Sequence, residues 1–259
     1  MYDDYIAILR QRAADPDDGR FAADQLLQLH AAATARPAAQ ILELGVDQGQ
    51  STRVFLNAIH GRTGARLVSV DIRDCAGAAH SGQWQFVQSC SADVARVLDA
   101  APGLRAGIDI LYIDSLHTRE HVAREVYGYF PHLAEGAEIF FDDVDSGPYM
   151  RGARKDNRGT EIANRRIEAL IREIFQANRD ILDLRIDHGS TGLARLRKRA
   201  PLGATLRPPL CVAPRYRWGA PTLLRRLNPR APTGAGPSST PPAATLGRKF
   251  LVDLPRPGP

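Results

Sequence analysis

The chain has 259 residues, of which 44% are hydrophobic and 24% charged, with a formal net charge of +5. This is an ordinary globular composition with room for one well-filled α/β domain and some additional chain. No apolar run reaches the eighteen or so residues a membrane-spanning helix needs, and the acidic start Met1-Tyr2-Asp3-Asp4 is not followed by an apolar leader, which argues against membrane insertion and secretion. Cys75, Cys90 and Cys211 show neither framework nor metal-ligand spacing and read as free thiols in a reducing compartment, so the expected location is cytoplasmic.

Residues 1–37 read as an N-terminal helical cap. Ile6, Leu9 and Arg10 begin an amphipathic stretch, Asp15 to Gly19 break it, Phe21, Leu26, Leu27 and Leu29 resume it, and Pro37 closes it. From Gln40 the pattern changes to strand and helix in alternation. Ile41 to Leu44 is a buried strand. Ser51 is placed to cap a helix with Val54, Phe55, Ala58 and Ile59 on one face. Leu67 to Val70 and Trp84 to Val87 are the next strands, followed by a short helix over Ala92 to Ala101. Ile108 to Ile113 is a fourth strand. Thr118 is placed to cap a helix carrying Val122, Val126, Tyr129, Phe130 and Leu133, and Glu138 to Phe141 is the fifth strand. After a polar loop (146–160), a helix carries Ile162, Ile167, Leu170, Ile171, Ile174 and Phe175. Ile181 to Asp187 and Gly192 to Arg197 then form a hairpin across His188-Gly189-Ser190-Thr191. The expected fold is α/β: a Rossmann-like, mostly parallel sheet of seven strands with helices on both faces and a terminal antiparallel hairpin, spanning residues 38–199.

Residues 200–259 differ in kind. They hold thirteen of the eighteen prolines and nine Arg or Lys against one Asp, and Ala231 to Thr245 is almost entirely Ala, Pro, Gly, Ser and Thr. Such a segment buries too little apolar surface to offset its ordering entropy, so it is expected to be largely disordered, with Tyr216, Trp218 and Leu223-Leu224 able to dock locally. With this tail set aside, the rest of the chain carries a net charge of −3, being 25 bases and 28 acids. A basic nucleic-acid-binding face on the domain itself is therefore not expected.

In open α/β sheets ligands bind at the carboxyl ends of the strands. After the first strand the chain reads Glu43-Leu44-Gly45-Val46-Asp47-Gln48-Gly49-Gln50-Ser51. Gly45 and Gly49 permit close backbone approach, and Glu43 suits an amine-bearing ligand better than a pyrophosphate. Neither the G-x-G-x-x-G fingerprint nor a P-loop is present. Asp71 ends the second strand, where an acid can hold both hydroxyls of a ribose. Each residue taken alone also fits a turn or a tight loop. Together they point to a nucleoside-containing cofactor.

The fourth and fifth strands end at Asp114 and at Asp142-Asp143. Adjacent parallel strands end side by side, so these carboxylates converge and repel unless a hard divalent cation such as Mg²⁺ joins them. A bound cation lowers the pKa of a hydroxyl and orients it. His117 stands three residues after Asp114, where it can act as general base. His121, one turn further on, fits a supporting partner or an ordinary helix residue. Tyr149, Met150, Arg151, Arg154 and Lys155, in the loop after the fifth strand, suit either an acidic substrate or solvent.

Ile41 to Gly49 resembles motif I of class I S-adenosylmethionine (SAM) methyltransferases, E-x-G-x-x-x-G, and Val70-Asp71 resembles the acidic end of their second strand; the likeness spans about residues 40–198. It implies that Glu43, Gly45 and Gly49 line the methionine and sugar region and that Asp71 holds the ribose; Ser51 is expected among the cofactor-binding residues. It also implies that the adenine lies by Gln88-Ser89-Cys90-Ser91, where Cys90 replaces a frequent acid. Asp114 with Asp142-Asp143 resembles the metal ligands of catechol-type O-methyltransferases, although Asp143 stands where those have Asn. The arrangement is closer to the macrocin and mycinamicin sugar O-methyltransferases, which also place a His three residues after the first Asp. Asp114-Ser115-Leu116-His117-Thr118-Arg119-Glu120-His121-Val122 further resembles the D-S-x-H-T-x-x-H-V of rhamnosyl O-methyltransferases. The implied activity is methyl transfer from SAM to a hydroxyl of a small molecule, a sugar or polyol first among them, with Asp114, Asp142 and Asp143 binding metal and His117 as base. The alternatives are a metal-independent small-molecule methyltransferase, a nucleic-acid methyltransferase anchored by the tail, and a non-catalytic SAM-binding subunit. The N-terminal helices leave a homo-oligomer open.

Overall fold

The structure, a computed structural model, describes residues 2–14, 23–147, 158–188 and 190–210. Two helices lead: α1 (Asp3–Ala13) and α2 (Ala23–Thr34). The alternating part follows as β1 (Gln40–Leu44), α3 (Gln50–Ile59), β2 (Arg66–Asp71), β3 (Trp84–Gln88), α4 (Val94–Ala100), β4 (Ile108–Ile113), α5 (Arg119–Tyr129), β5 (Leu133–Phe141) and α6 (Arg158–Ala177). The hairpin β6 (Leu182–Asp187) and β7 (Leu193–Lys198) ends the regular elements. The seven strands form one sheet in the order β3-β2-β1-β4-β5-β7-β6, with β1 to β5 parallel and the hairpin antiparallel. Helices cover both faces, as the sequence implies. The chain runs outward in opposite directions from β1, so the gap beyond β1 and β4 is the switch point at which this architecture binds ligands.

The strands are apolar because both faces are covered. Leu42, Leu44, Val68, Val70, Leu111, Ile113, Ile139 and Phe141 meet Val126, Tyr129 and Phe130 at α5 and Ile167, Ile171 and Ile174 of α6 in one core. Burying each of the larger side chains contributes about 1.5–3 kcal/mol. On the N-terminal side, α2 packs on α3, and Asn57 joins the three helices by bonding His30 Nε2 (2.8 Å) and Asp3 (2.9 Å).

Several boundaries differ from expectation, each for a physical reason. Ser51 is not the cap of α3. Gly49 takes that position at φ 74°, because the loop must turn through a left-handed residue before the helix starts at Gln50. Helix α4 is shorter than Ala92 to Ala101 because Asp93 caps it, accepting from Arg96 N at 3.3 Å. Strand β5 begins at Leu133, five residues before Glu138, because buried Leu133 pairs with Ile108 ahead of a register shift.

Residues 200–210 do not leave the domain. Arg207 N donates to Asn178 Oδ1 (2.8 Å), Tyr127 OH donates to Arg207 O (2.9 Å), Leu210 N donates to Glu173 O (3.1 Å), and Ala204 and Leu206 pack against the core. The tail set apart from residue 200 thus begins against the domain. Its remainder, with Tyr216, Trp218 and Leu223-Leu224, lies outside the described residues, as do the break at 15–19 and the loop residues Tyr149, Met150, Arg151, Arg154 and Lys155. Among the described residues no helix is long and apolar enough to cross a membrane.

Candidate active site

The β1–α3 loop sits against the end of β4. Gly45 N donates to Val70 O (2.9 Å) and Asp114 N donates to Leu44 O (2.8 Å), so three strand ends are tied together. Gly45 has φ +97°, and a Cβ there would lie 2.1 Å from the Asp114 carbonyl oxygen. Only glycine allows this approach. Asp71, 8% exposed, holds the loop: its Oδ2 accepts from Val46 N (3.0 Å) and Asp47 N (3.2 Å), and its Oδ1 accepts from Arg73 N (2.9 Å). Burial raises the pKa of this carboxyl, but the three backbone donors and the Arg73 guanidinium outweigh burial and hold it below the ordinary value.

Glu43 is fully buried and does not face the crevice freely. Its Oε2 accepts from Thr52 Oγ1 (2.7 Å) and Ser69 Oγ (2.6 Å), and Ser69 in turn accepts from Trp84 Nε1 (2.9 Å), so Glu43 joins α3 to β2 and β3. Beyond Asp71, Ile72 is 73% exposed, and beyond Asp114, Leu116 is 55% exposed. Both lie in the segments that follow the carboxyl ends of β2 and β4. Cys90 is exposed, whereas Ser91 is buried.

At the ends of β4 and β5 the expected acids come together around a residue that sequence reasoning did not single out. Tyr112 OH lies 3.3 Å from Asp114 Oδ2 and 3.2 Å from Asp142 Oδ2. Burial, then the charges of Asp114, Asp142, Glu43 and Asp143, push the Tyr112 pKa well above its ordinary value, so the phenol remains a donor. His117 Nε2 lies 3.7 Å from Asp114 Oδ1 and 3.8 Å from Asp143 Oδ2, and has no hydrogen-bond partner among the described residues. Asp143 adopts φ 55°, a left-handed conformation that short polar side chains tolerate. Asp142 Oδ1 accepts from Asp143 N (2.9 Å) and lies 3.4 Å from the Thr191 hydroxyl, which is also 3.2 Å from Gln25 Oε1. The hairpin turn and α2 thus both reach the site. Gly192 (φ +85°) permits the turn's approach, since a Cβ there would meet Asp145 N at 2.4 Å.

His121 does not extend the carboxylate group. Its Nε2 lies 3.0 Å from Ser91 Oγ and 3.1 Å from Glu125 Oε1, which also accepts from Ser115 Oγ at 2.6 Å. Serine and glutamate share one ring nitrogen, so this is not the relay of a nucleophilic triad, in which they occupy opposite nitrogens. It fastens α5 to the loops after β3 and β4. Tyr112 carried a readable signal, standing two residues before Asp114 and so on the same face of the strand. Gln25, Thr191 and Glu125 carried none.

Residues 42–144 match the family described as "Methyltransferase domain". The chain is similar in structure to the MycE methyltransferase of the mycinamycin biosynthetic pathway, solved with Mg and S-adenosylhomocysteine (SAH), at 18% identity and TM-score 0.52, over 75% of this chain and 55% of that one. The chain thus spans little more than half of MycE. It is also similar to the SAH-bound Podospora anserina methyltransferase PaMTH1 (15% identity, TM-score 0.55, 76% of this chain and 87% of that one). A third likeness is to cofactor-bound Rv0187 from MTB (20% identity, TM-score 0.52, 76% and 88%). No curated protein matches the chain. Residues 42–144 thus match a methyltransferase domain, and the chain shares the fold of these solved methyltransferases.

Proposed function

We propose that the protein transfers the methyl group of SAM to a hydroxyl of a small molecule, a sugar or polyol above all, with a divalent cation and His117 activating that hydroxyl. The observation that carries this reading is the meeting of Asp114, Asp142, Asp143, Tyr112 and His117 beside the Gly45 loop. SAM supplies an electrophilic methyl on its sulfonium. The residues that would hold it are Gly45, Gly49, Ser51, Asp71, Cys90 and Ser91, with Glu43 bracing the loop from beneath. The exposed side chains of Ile72 and Leu116 suit the faces of a flat base, since apolar groups left in water at a crevice gain by being covered. The SAH carried by MycE and PaMTH1 supports the same cofactor class here.

The carboxylate oxygens of Asp114, Asp142 and Asp143 form a donor set that fits Mg²⁺ chemically. Among the described residues no three such side chains stand as a ready ligand cluster, so a cation would draw them inward. Bound there, it would lower the pKa of a substrate hydroxyl. His117 Nε2, without a hydrogen bond and facing two carboxylates, is the group on hand to accept the hydroxyl proton, and those carboxylates stabilise the imidazolium that results. The convergence of intact acids and base disfavours a non-catalytic subunit.

The test is calorimetric titration of SAH into the purified chain, with and without Mg²⁺, beside Asp71→Ala. Micromolar binding that the substitution weakens supports the cofactor reading. An acceptor screen over glycosides and phenols, with Mg²⁺ and with chelator, then decides the substrate class and the metal. Folded protein that binds no SAH under any condition overturns the proposal.

A further inference from the structure

We infer that Tyr112 is a positioning residue whose hydroxyl gathers the carboxylates of Asp114 and Asp142 into one oxygen cluster before any ligand arrives. The inference rests on the cation reading above for its consequence, but its geometry stands apart from it. A phenol has one hydrogen, and here two carboxylate oxygens from different strands lie 3.3 and 3.2 Å from its oxygen. The tyrosine is 3% exposed and its ring packs edge-on against Phe55 at 5.9 Å between centroids, so it cannot swing away. Register reinforces this: Tyr112 pairs with Phe140 of β5, and each stands two residues before one of the acids, Asp114 and Asp142, so the phenol starts level with both strand ends.

Asp142 is held at its other oxygen as well, by the amide of Asp143 (2.9 Å) and the hydroxyl of Thr191 (3.4 Å). Its carboxylate plane is therefore fixed from both ends, and Tyr112 alone of these donors also reaches Asp114. Without the phenol, two like charges would face each other across the strand ends and separate. The hydroxyl thus does for these two carboxylates part of what a cation would do. It holds one oxygen of Asp114 and one of Asp142 at a shared donor, so less movement is left for binding to impose.

Tyr112→Phe deletes only the hydroxyl and retains the ring. Two readouts test the inference. The first is the infrared difference spectrum between wild type and Tyr112→Phe, both metal-free. A shift of the carboxylate stretching bands is expected, and unchanged bands overturn the inference. The second is Mn²⁺ binding followed by electron paramagnetic resonance, with melting temperature and SAH binding as controls. Tyr112→Phe is expected to bind Mn²⁺ ~10-fold or more weakly, as loss of a ligand-orienting partner commonly does, with SAH binding retained. Equal Mn²⁺ binding by both proteins overturns the inference. Wild type that binds no Mn²⁺ overturns the cation reading instead, and the infrared bands alone then decide whether Tyr112 joins the pair.

Discussion

Asp71 shows how much a single side chain does at the mouth of the crevice. Its carboxylate terminates β2 and also receives the amides of Val46, Asp47 and Arg73, so the loop that begins the candidate cofactor region is built on it. Asp71→Asn keeps the shape but loses one accepting edge, leaving a buried donor unpaired at a cost of about 1–3 kcal/mol. The folded carboxyl has a lowered pKa, so its stabilisation is complete above the unfolded value of about 3.9 and fades as pH falls through the folded value. Thermal melts of wild type and Asp71→Asn are therefore expected to differ by a constant gap from pH 7 to pH 5 and to converge only once pH falls below the unfolded value of about 3.9. A gap that widens on acidification would contradict this account. The motif that contains Asp71 was legible in the sequence, yet its use of three backbone donors was not, because those donors are presented only by the folded loop.

Among the elements, α5 links both halves of the candidate site. It starts just after His117, and its first turn carries His121. Its cap, Thr118, accepts from His121 N at 3.3 Å, as the Thr-x-x spacing before an amphipathic run implies. Thr118→Ala is expected to cost about 1 kcal/mol, read as a fall of roughly 2–4 °C in melting temperature. Because the cap also sets where the helix begins, the same variant is expected to lower methyl-transfer turnover more than SAH affinity. Equal loss in both would assign Thr118 to general stability alone. The cap of α5 and the carboxyl ends of β1, β2, β4 and β5 were readable here because local chemistry decides them. The cap of α3 was not: Ser51 has the better intrinsic preference, but the loop's left-handed turn required Gly49.

Among the described residues, distant parts of the chain meet at the candidate site. Gln25 of α2 and Thr191 of the hairpin turn, 166 residues apart, join beside Asp142. Residues 200–210 return across α5 and α6 through Tyr127, Asn178 and Glu173. A chain ending at residue 210 is therefore expected to melt above one ending at 199 by an amount worth about 1–3 kcal/mol, since several hydrogen bonds and the Leu206 contact are lost. Identical melting of the two would show that this return adds nothing. By itself the sequence determined the α/β alternation, the parallel order implied by strand-helix repetition, the motif at the end of β1 and the acids at the ends of β2, β4 and β5. Those are local signals, set by hydrophobic period, glycine and the residue that stops a strand. Only the tertiary structure decided that Glu43 turns into the core, that Tyr112 stands between two carboxylates, that Gln25 and Thr191 reach Asp142, and that the basic tail begins on the domain. Each depends on which strands become neighbours and how closely their ends approach, and no spacing along a single chain encodes that.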